Sequence, residues 1–219
     1  MKVNFLRHLS YSSLSLYEDC SRCWYLSKRY GLKLPIPVSW EFGGKVHEAI
    51  EKYHLNRVLP EDKILYDYVA AYSKFYKSKE YDHVEEFWTV PIRHPFNESA
   101  NLDLPLVVKI DRVYRGWIHD VKTSSKKYTF EEIDGRRQTA LYAYAYREKF
   151  GKKEKGIRYD VLVKRVKPYL DPKDTFATDD DITSALQWLW KGYQKIQEDL
   201  MKGEPMNHSV RCYRKESMP

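Results

Sequence analysis

The chain has 219 residues and is 42% hydrophobic, enough for one sizeable core, so a single domain over residues 1–219 is expected. Its 38 Lys and Arg against 31 Asp and Glu leave a formal charge of +7, which favours a polyanionic partner without identifying it. No stretch approaches the roughly 20 apolar residues of a membrane span, and the N-terminus lacks an apolar run ending in a cleavage site; a cytoplasmic protein without a membrane partner is expected.

In chain order, Ser12 or Ser13 caps a predicted helix over residues 11–30 that carries Leu14, Tyr17, Cys20, Trp24 and Leu26 and stops at Gly31. LKLPIPVS (32–39) has two prolines and reads as a loop. Two more helices follow, about Trp40–Arg57 with Val46, Ile50 and Tyr53 on its buried stripe, and about Glu61–Lys79, making residues 1–80 a helical part. Three stretches rich in Val, Ile and aromatics, at 83–92, 104–114 and 117–123, then read as strands. After them come a helix near Phe130–Phe150, a strand near Ile157–Val166 and a loop holding Pro and Asp. A last helix, near Asp180–Lys202, has acids at its start and Gly203 at its end. This order predicts a mixed α/β fold, with a sheet core over 81–170 packed by helices and a C-terminal helix over 178–203. No GxxxxGK[ST] loop is present, which argues against a nucleotide-driven motor.

The chemistry concentrates in Lys109-Ile-Asp-Arg-Val-Tyr-Arg-Gly-Trp-Ile-His-Asp-Val-Lys122. A turn centred on Arg115 and Gly116 makes it a hairpin and places Asp111 opposite Asp120, with Lys122 on the same face. Facing side chains have Cβ atoms about 4.5–5.5 Å apart, so two carboxylates there repel unless a cation lies between them. A divalent ion would relieve that repulsion and activate water for attack on a phosphodiester, with Lys122 orienting or helping to deprotonate the water. The plain alternative is surface charge at a strand edge. On the second helix, His47, Glu51 and His54 fall on one face, opposite Val46 and Ile50, so His47 is a candidate ligand favouring Mn over Mg. Gln138 and Tyr142, one helical turn apart, with Arg136 and Arg137 before them, are candidates for contacts to a DNA backbone.

In combination these residues resemble the PD-(D/E)XK nuclease superfamily, in its RecB-like branch of helicase-associated nucleases and CRISPR-adaptation exonucleases. The resemblance rests on Gly44-x-x-His47, Asp111 in IDR, Asp120-Val-Lys122 and Gln138-x-x-x-Tyr142, in that order. The N-terminal SYSSLSLY with Cys20 is similar as well. It implies a restriction-endonuclease-like core of a mixed sheet flanked by helices. It also implies Mg or Mn held by His47, Asp111, Asp120 and the main-chain carbonyl of Val121, catalysis by Lys122, and support from Gln138 and Tyr142. The implied activity is DNA cleavage, as an exonuclease or an end- or flap-processing enzyme in repair or recombination. The alternative is a non-catalytic DNA-binding adaptor that docks to a helicase or a recombination or integration complex. Many members of the branch hold an iron–sulfur cluster through four cysteines; here Cys20, Cys23 and Cys212 fall one short, so no cluster is expected. So sparse and odd a set also fits a reducing compartment.

Overall fold

The computed structural model of the protein describes residues 5–33, 38–76, 81–133 and 136–203; Cys212 lies outside them. Four helices come first: α1 (Tyr11–Asp19), α2 (Ser21–Tyr30), α3 (Val38–Asn56) and α4 (Lys63–Tyr76). Five strands follow: β1 (His83–Val90), β2 (Arg93–His94), β3 (Asn97–Asn101), β4 (Leu106–Tyr114) and β5 (Trp117–Ser124). The rest is α5 (Phe130–Ile133), α6 (Arg137–Phe150), β6 (Gly156–Val163), β7 (Tyr169–Thr175) and α7 (Asp179–Lys202). The fold is mixed α/β, as expected, and no helix among the described residues is long and apolar enough to cross a membrane.

Several boundaries differ from the sequence reading, each for a local reason. The first predicted helix is two, because Cys20 is extended (φ −159°, ψ 94°) and its Sγ accepts the Cys23 N–H at 3.2 Å, capping α2. Ser10, not Ser12 or Ser13, caps α1, while Ser13 is buried and accepts the Trp24 indole N–H. Gly31 ends α2 in the left-handed conformation that the sequence suggested. The predicted helix at 130–150 is also two, with Arg136 extended at the start of α6. The stretch expected to be a Pro- and Asp-bearing loop is β7, which pairs antiparallel with β6 and lies at the sheet edge, where Pro172 is tolerated. The short pair β2–β3 was not anticipated.

The chain groups into two compact units. One comprises Met1–Pro35, Thr89–Val108 and Asp179–Pro219. In it α7 is tied to α1 by the Tyr17 hydroxyl donating to Asp199 (2.5 Å) and the Trp188 indole donating to Glu18 (2.6 Å). Bare backbone at Gly192 admits Leu14, whose side chain lies where a Cβ would stand.

The other unit comprises Ile36–Trp88 and Lys109–Thr178 and holds every residue proposed for catalysis. The sheet runs β1-β4-β5-β6-β7, with β5–β6 parallel and β4–β5 and β6–β7 antiparallel. Strand alternation sends Val121 and Leu162 to one face, where they pack with Val46 and Ile50 of α3 and Val69 and Tyr72 of α4. Each such aliphatic side chain, fully buried, contributes about 1.5–3 kcal/mol. Asp120, Lys122 and Tyr159 go to the other face, where α6 meets the sheet through the Thr139 and Tyr159 hydroxyls, 2.6 Å apart. The apolar layer thus anchors α3 and β5 beneath the polar face that carries the acids.

Candidate active site

The β4–β5 turn fixes the site. Arg115 (φ 48°) and Gly116 (φ 85°) are both left-handed, the requirement of a two-residue type I′ turn. Tyr114 then pairs with Trp117, Val113 with Ile118 and Arg112 with His119, the register deduced from the sequence. One step further along, Asp111 and Asp120 stand on the same face. Here the Asp111 Oδ2 accepts the Val121 backbone N–H at 2.7 Å, so one acid is held by the strand that bears the other. Both carboxylates are buried.

Asp120 is gripped from two sides. Its Oδ1 accepts the Tyr142 hydroxyl (2.9 Å), whose oxygen in turn accepts the Gln138 side-chain amide (2.7 Å). Its Oδ2 is paired with the Lys122 ammonium at 2.7 Å. Burial raises the Asp120 carboxyl above its ordinary range; Lys122 and Tyr142 oppose that shift and Asp111 adds to it. Burial works against the Lys122 charge, yet Asp120 and Asp111 outweigh it and hold the ammonium well above its usual range.

A third acid joins the site from β1. Among the described residues, ligand-type atoms of His47, Glu85 and Asp111 lie within 4.8 Å of one another, and His47 Nδ1 is 3.5 Å from Asp111 Oδ2. The sequence reading missed Glu85. It sits at φ 53° within a strand, and that backbone turn has no counterpart in the HVEEFW pattern. Burial first, then Asp111, raises the Glu85 carboxyl above its usual range, although Lys109 Nζ stands 2.5 Å from Oε2. The Glu85 and Asp111 carboxylates beside the His47 imidazole fit a divalent cation, which accepts mixed oxygen and nitrogen donors.

His54 lies two turns along α3 from His47, as expected, but the face they share is packed at that end rather than turned away from the core. There His54 stands edge-on to Tyr72 and Tyr81, and burial pushes its pKa down to about 3, with Arg112 adding to the shift. Arg112 itself is fully buried on the sheet face opposite the acids, its guanidinium 4.9 Å from the Tyr72 ring centre. Its Nε and Nη2 have no hydrogen-bond partner, and despite burial the surrounding Tyr72, Asp111 and Asp160 keep it charged. Nearby, Asp160 accepts the Tyr76 hydroxyl and contacts His119 Nδ1 at 3.0 Å.

Arg136 folds back, its Nε donating to the Glu132 carbonyl and its guanidinium lying over Tyr128, whereas Arg137 is exposed. Tyr144 and Tyr146 are buried. Cys20 and Cys23 are both disulfide-bonded, which the sparse cysteine count did not suggest. Beside Lys122 and His47 opens a cleft of about 660 Å³, flanked by the start of α3 and the end of β5.

Comparison with known proteins agrees with this geometry. No curated protein sequence matches the chain. A crystal structure of the "Putative exonuclease" from Eubacterium rectale superposes with a TM-score of 0.63 at 15% identity, covering 100% of this chain and 95% of that one. A second structure, of SSO0001, has a TM-score of 0.47 at 11% identity over 89% of this chain and 79% of that one, too distant to support an argument. The first likeness establishes the fold, and it accords with the expected restriction-endonuclease-like core. A family model of the PD-(D/E)XK nuclease superfamily matches residues 8–216, nearly the full length of the chain, and the chain therefore belongs to that superfamily.

Proposed function

We propose that this protein is a metal-dependent deoxyribonuclease acting as one nuclease domain, most consistent with an exonuclease or an end- or flap-processing enzyme. The observation that carries the reading is the gathering of His47, Glu85 and Asp111 beside the Asp120–Lys122 pair on one β-ribbon. In this reading His47, Asp111, Asp120 and the Val121 carbonyl hold Mg or Mn, with Glu85 as a further oxygen donor. Such an ion supplies charge neutralisation at the phosphoryl group and a more acidic water.

The side chains divide the remaining work. Lys122, held as an ammonium, orients the attacking water and places positive charge beside the phosphate. The water oxygen joins phosphorus and releases a proton to solvent, the bond to the leaving oxygen breaks, and that oxygen takes up a proton from solvent. Tyr142 and Gln138 hold Asp120 in position, Arg137 faces the DNA backbone, and Arg136 braces the start of α6. The reading assigns no iron–sulfur cluster. A role beside a helicase or in recombination would follow from end processing.

A time course on end-labelled linear and on circular DNA, with Mn and Mg compared, tests the proposal. Progressive loss of end label with circular DNA intact is the expected result. Asp120→Asn and Lys122→Ala should each lower the rate by at least about a hundredfold while the melting curve persists. Cleavage retained in both variants would falsify the assignment.

A further inference from the structure

We propose that the cleft beside Lys122 is a subsite for an unpaired nucleotide, with Trp40 as its stacking platform, so that single-stranded DNA is the substrate class this protein binds. The inference rests on the nuclease reading for the direction of the strand toward Lys122, but its own support is the cleft.

Four features of the cleft point the same way. Trp40 lines it and is 70% exposed, so its ring is open to a ligand in the cleft. Thr123, Ser124 and Ser125 bring hydroxyls from the end of β5, and Lys164 brings a cation held 4.7 Å over the Phe42 ring. Gly43 and Gly44 leave two successive residues of α3 without side chains on the cleft wall. A Cβ on Gly43 would come within 3.1 Å of Thr123 Oγ1, whereas a Cβ on Gly44 would meet nothing within 4 Å, so the space beside Gly44 is open.

An exposed aromatic face, hydroxyls and a lysine around bare backbone suit a base, a sugar and a phosphate in succession. The cleft volume lies within the range of about 300–1,000 Å³ typical of small-ligand sites. A paired base keeps both faces covered by its neighbours in the duplex and has none to offer the indole; an unpaired base does. Stacking is also tolerant of base identity, as a degrading enzyme requires.

The test uses full-length protein carrying Asp120→Asn to silence cleavage, in the presence of Mn, with an oligonucleotide containing 2-aminopurine, either single-stranded or fully paired. The expected result is quenching of the single-stranded probe and tighter binding to it than to the duplex. Trp40→Ala should weaken single-strand binding by about 5- to 150-fold, leave duplex binding within about twofold, and be largely rescued by Trp40→Phe. Gly44→Leu should fill the cleft and weaken single-strand binding too, while a better helix former at that position keeps or raises the melting temperature.

Equal binding of single strands by the parent and Trp40→Ala overturns the proposal, as does an equal loss on both substrates or a parent that binds no single strand. The nuclease reading is judged separately: DNA cleavage with Asp120 intact, together with an indifferent Trp40→Ala, sinks the subsite alone. A Trp40-dependent single-strand binder that never cleaves sinks the nuclease reading alone.

Discussion

Glu85 occupies the left-handed region at φ 53°, a conformation that costs a residue with a Cβ on the order of 1–3 kcal/mol. The same residue buries a carboxylate next to Asp111, which raises the cost further. Removing that charge should therefore help the metal-free protein and harm the loaded one. For Glu85→Gln we expect a higher melting temperature in chelator, and Mn affinity weakened by about tenfold or more in calorimetric titration. An unchanged Mn affinity would exclude Glu85 from the ligand set. Asp111, Asp120, Lys122 and His47 were legible because a two-residue turn and helical spacing fix where such side chains point. Glu85 was not, since a local reversal of φ breaks the alternation by which strand residues are assigned to faces.

At the level of elements, α3 does two things with residues one turn or two apart. His47 reaches toward Asp111, and His54 seals the packing against α4 and the Arg112 guanidinium. A histidine with its folded pKa depressed to about 3, against an ordinary value of 6.5, stays neutral in the native chain while the unfolded chain takes up a proton. Stability conferred by the neutral form is complete above pH 6.5 and falls as the pH drops toward 3. The slope is at most about 1.4 kcal/mol per pH unit, reduced by partial exposure of the ring. Urea titrations at pH 7 and pH 5 should show a smaller loss for His54→Phe than for the parent; equal losses would mean that His54 does not drive the effect.

Other elements illustrate where sequence reading fails. Pro172 and its neighbouring acids look like a loop, yet an edge strand needs hydrogen bonds on one side only, and β7 forms. Cys20 has the spacing of a helical core residue, but its extended backbone ends α1 and its sulfur starts α2. Periodicity reports which face is buried and is blind to a one-residue break between two helices that share that face.

For the whole molecule, a charge of +7 predicts that binding to any nucleic acid is governed partly by displaced counterions. With about three phosphates neutralised, affinity for single strands should fall more than about tenfold between 50 and 200 mM salt. Fluorescence anisotropy at a series of salt concentrations checks this, and a flat dependence would remove charge as a driving force. The chain also carries a permanent cation of its own at the centre of the sheet. Arg112, sealed on the reverse of the strand pair and influenced by Asp111, cannot be stripped by a chelating agent. The ribbon bearing the acids thus retains an internal counterweight when emptied of metal, so demetallation should be a reversible exchange of ions within a standing framework rather than a cycle of collapse and rebuilding.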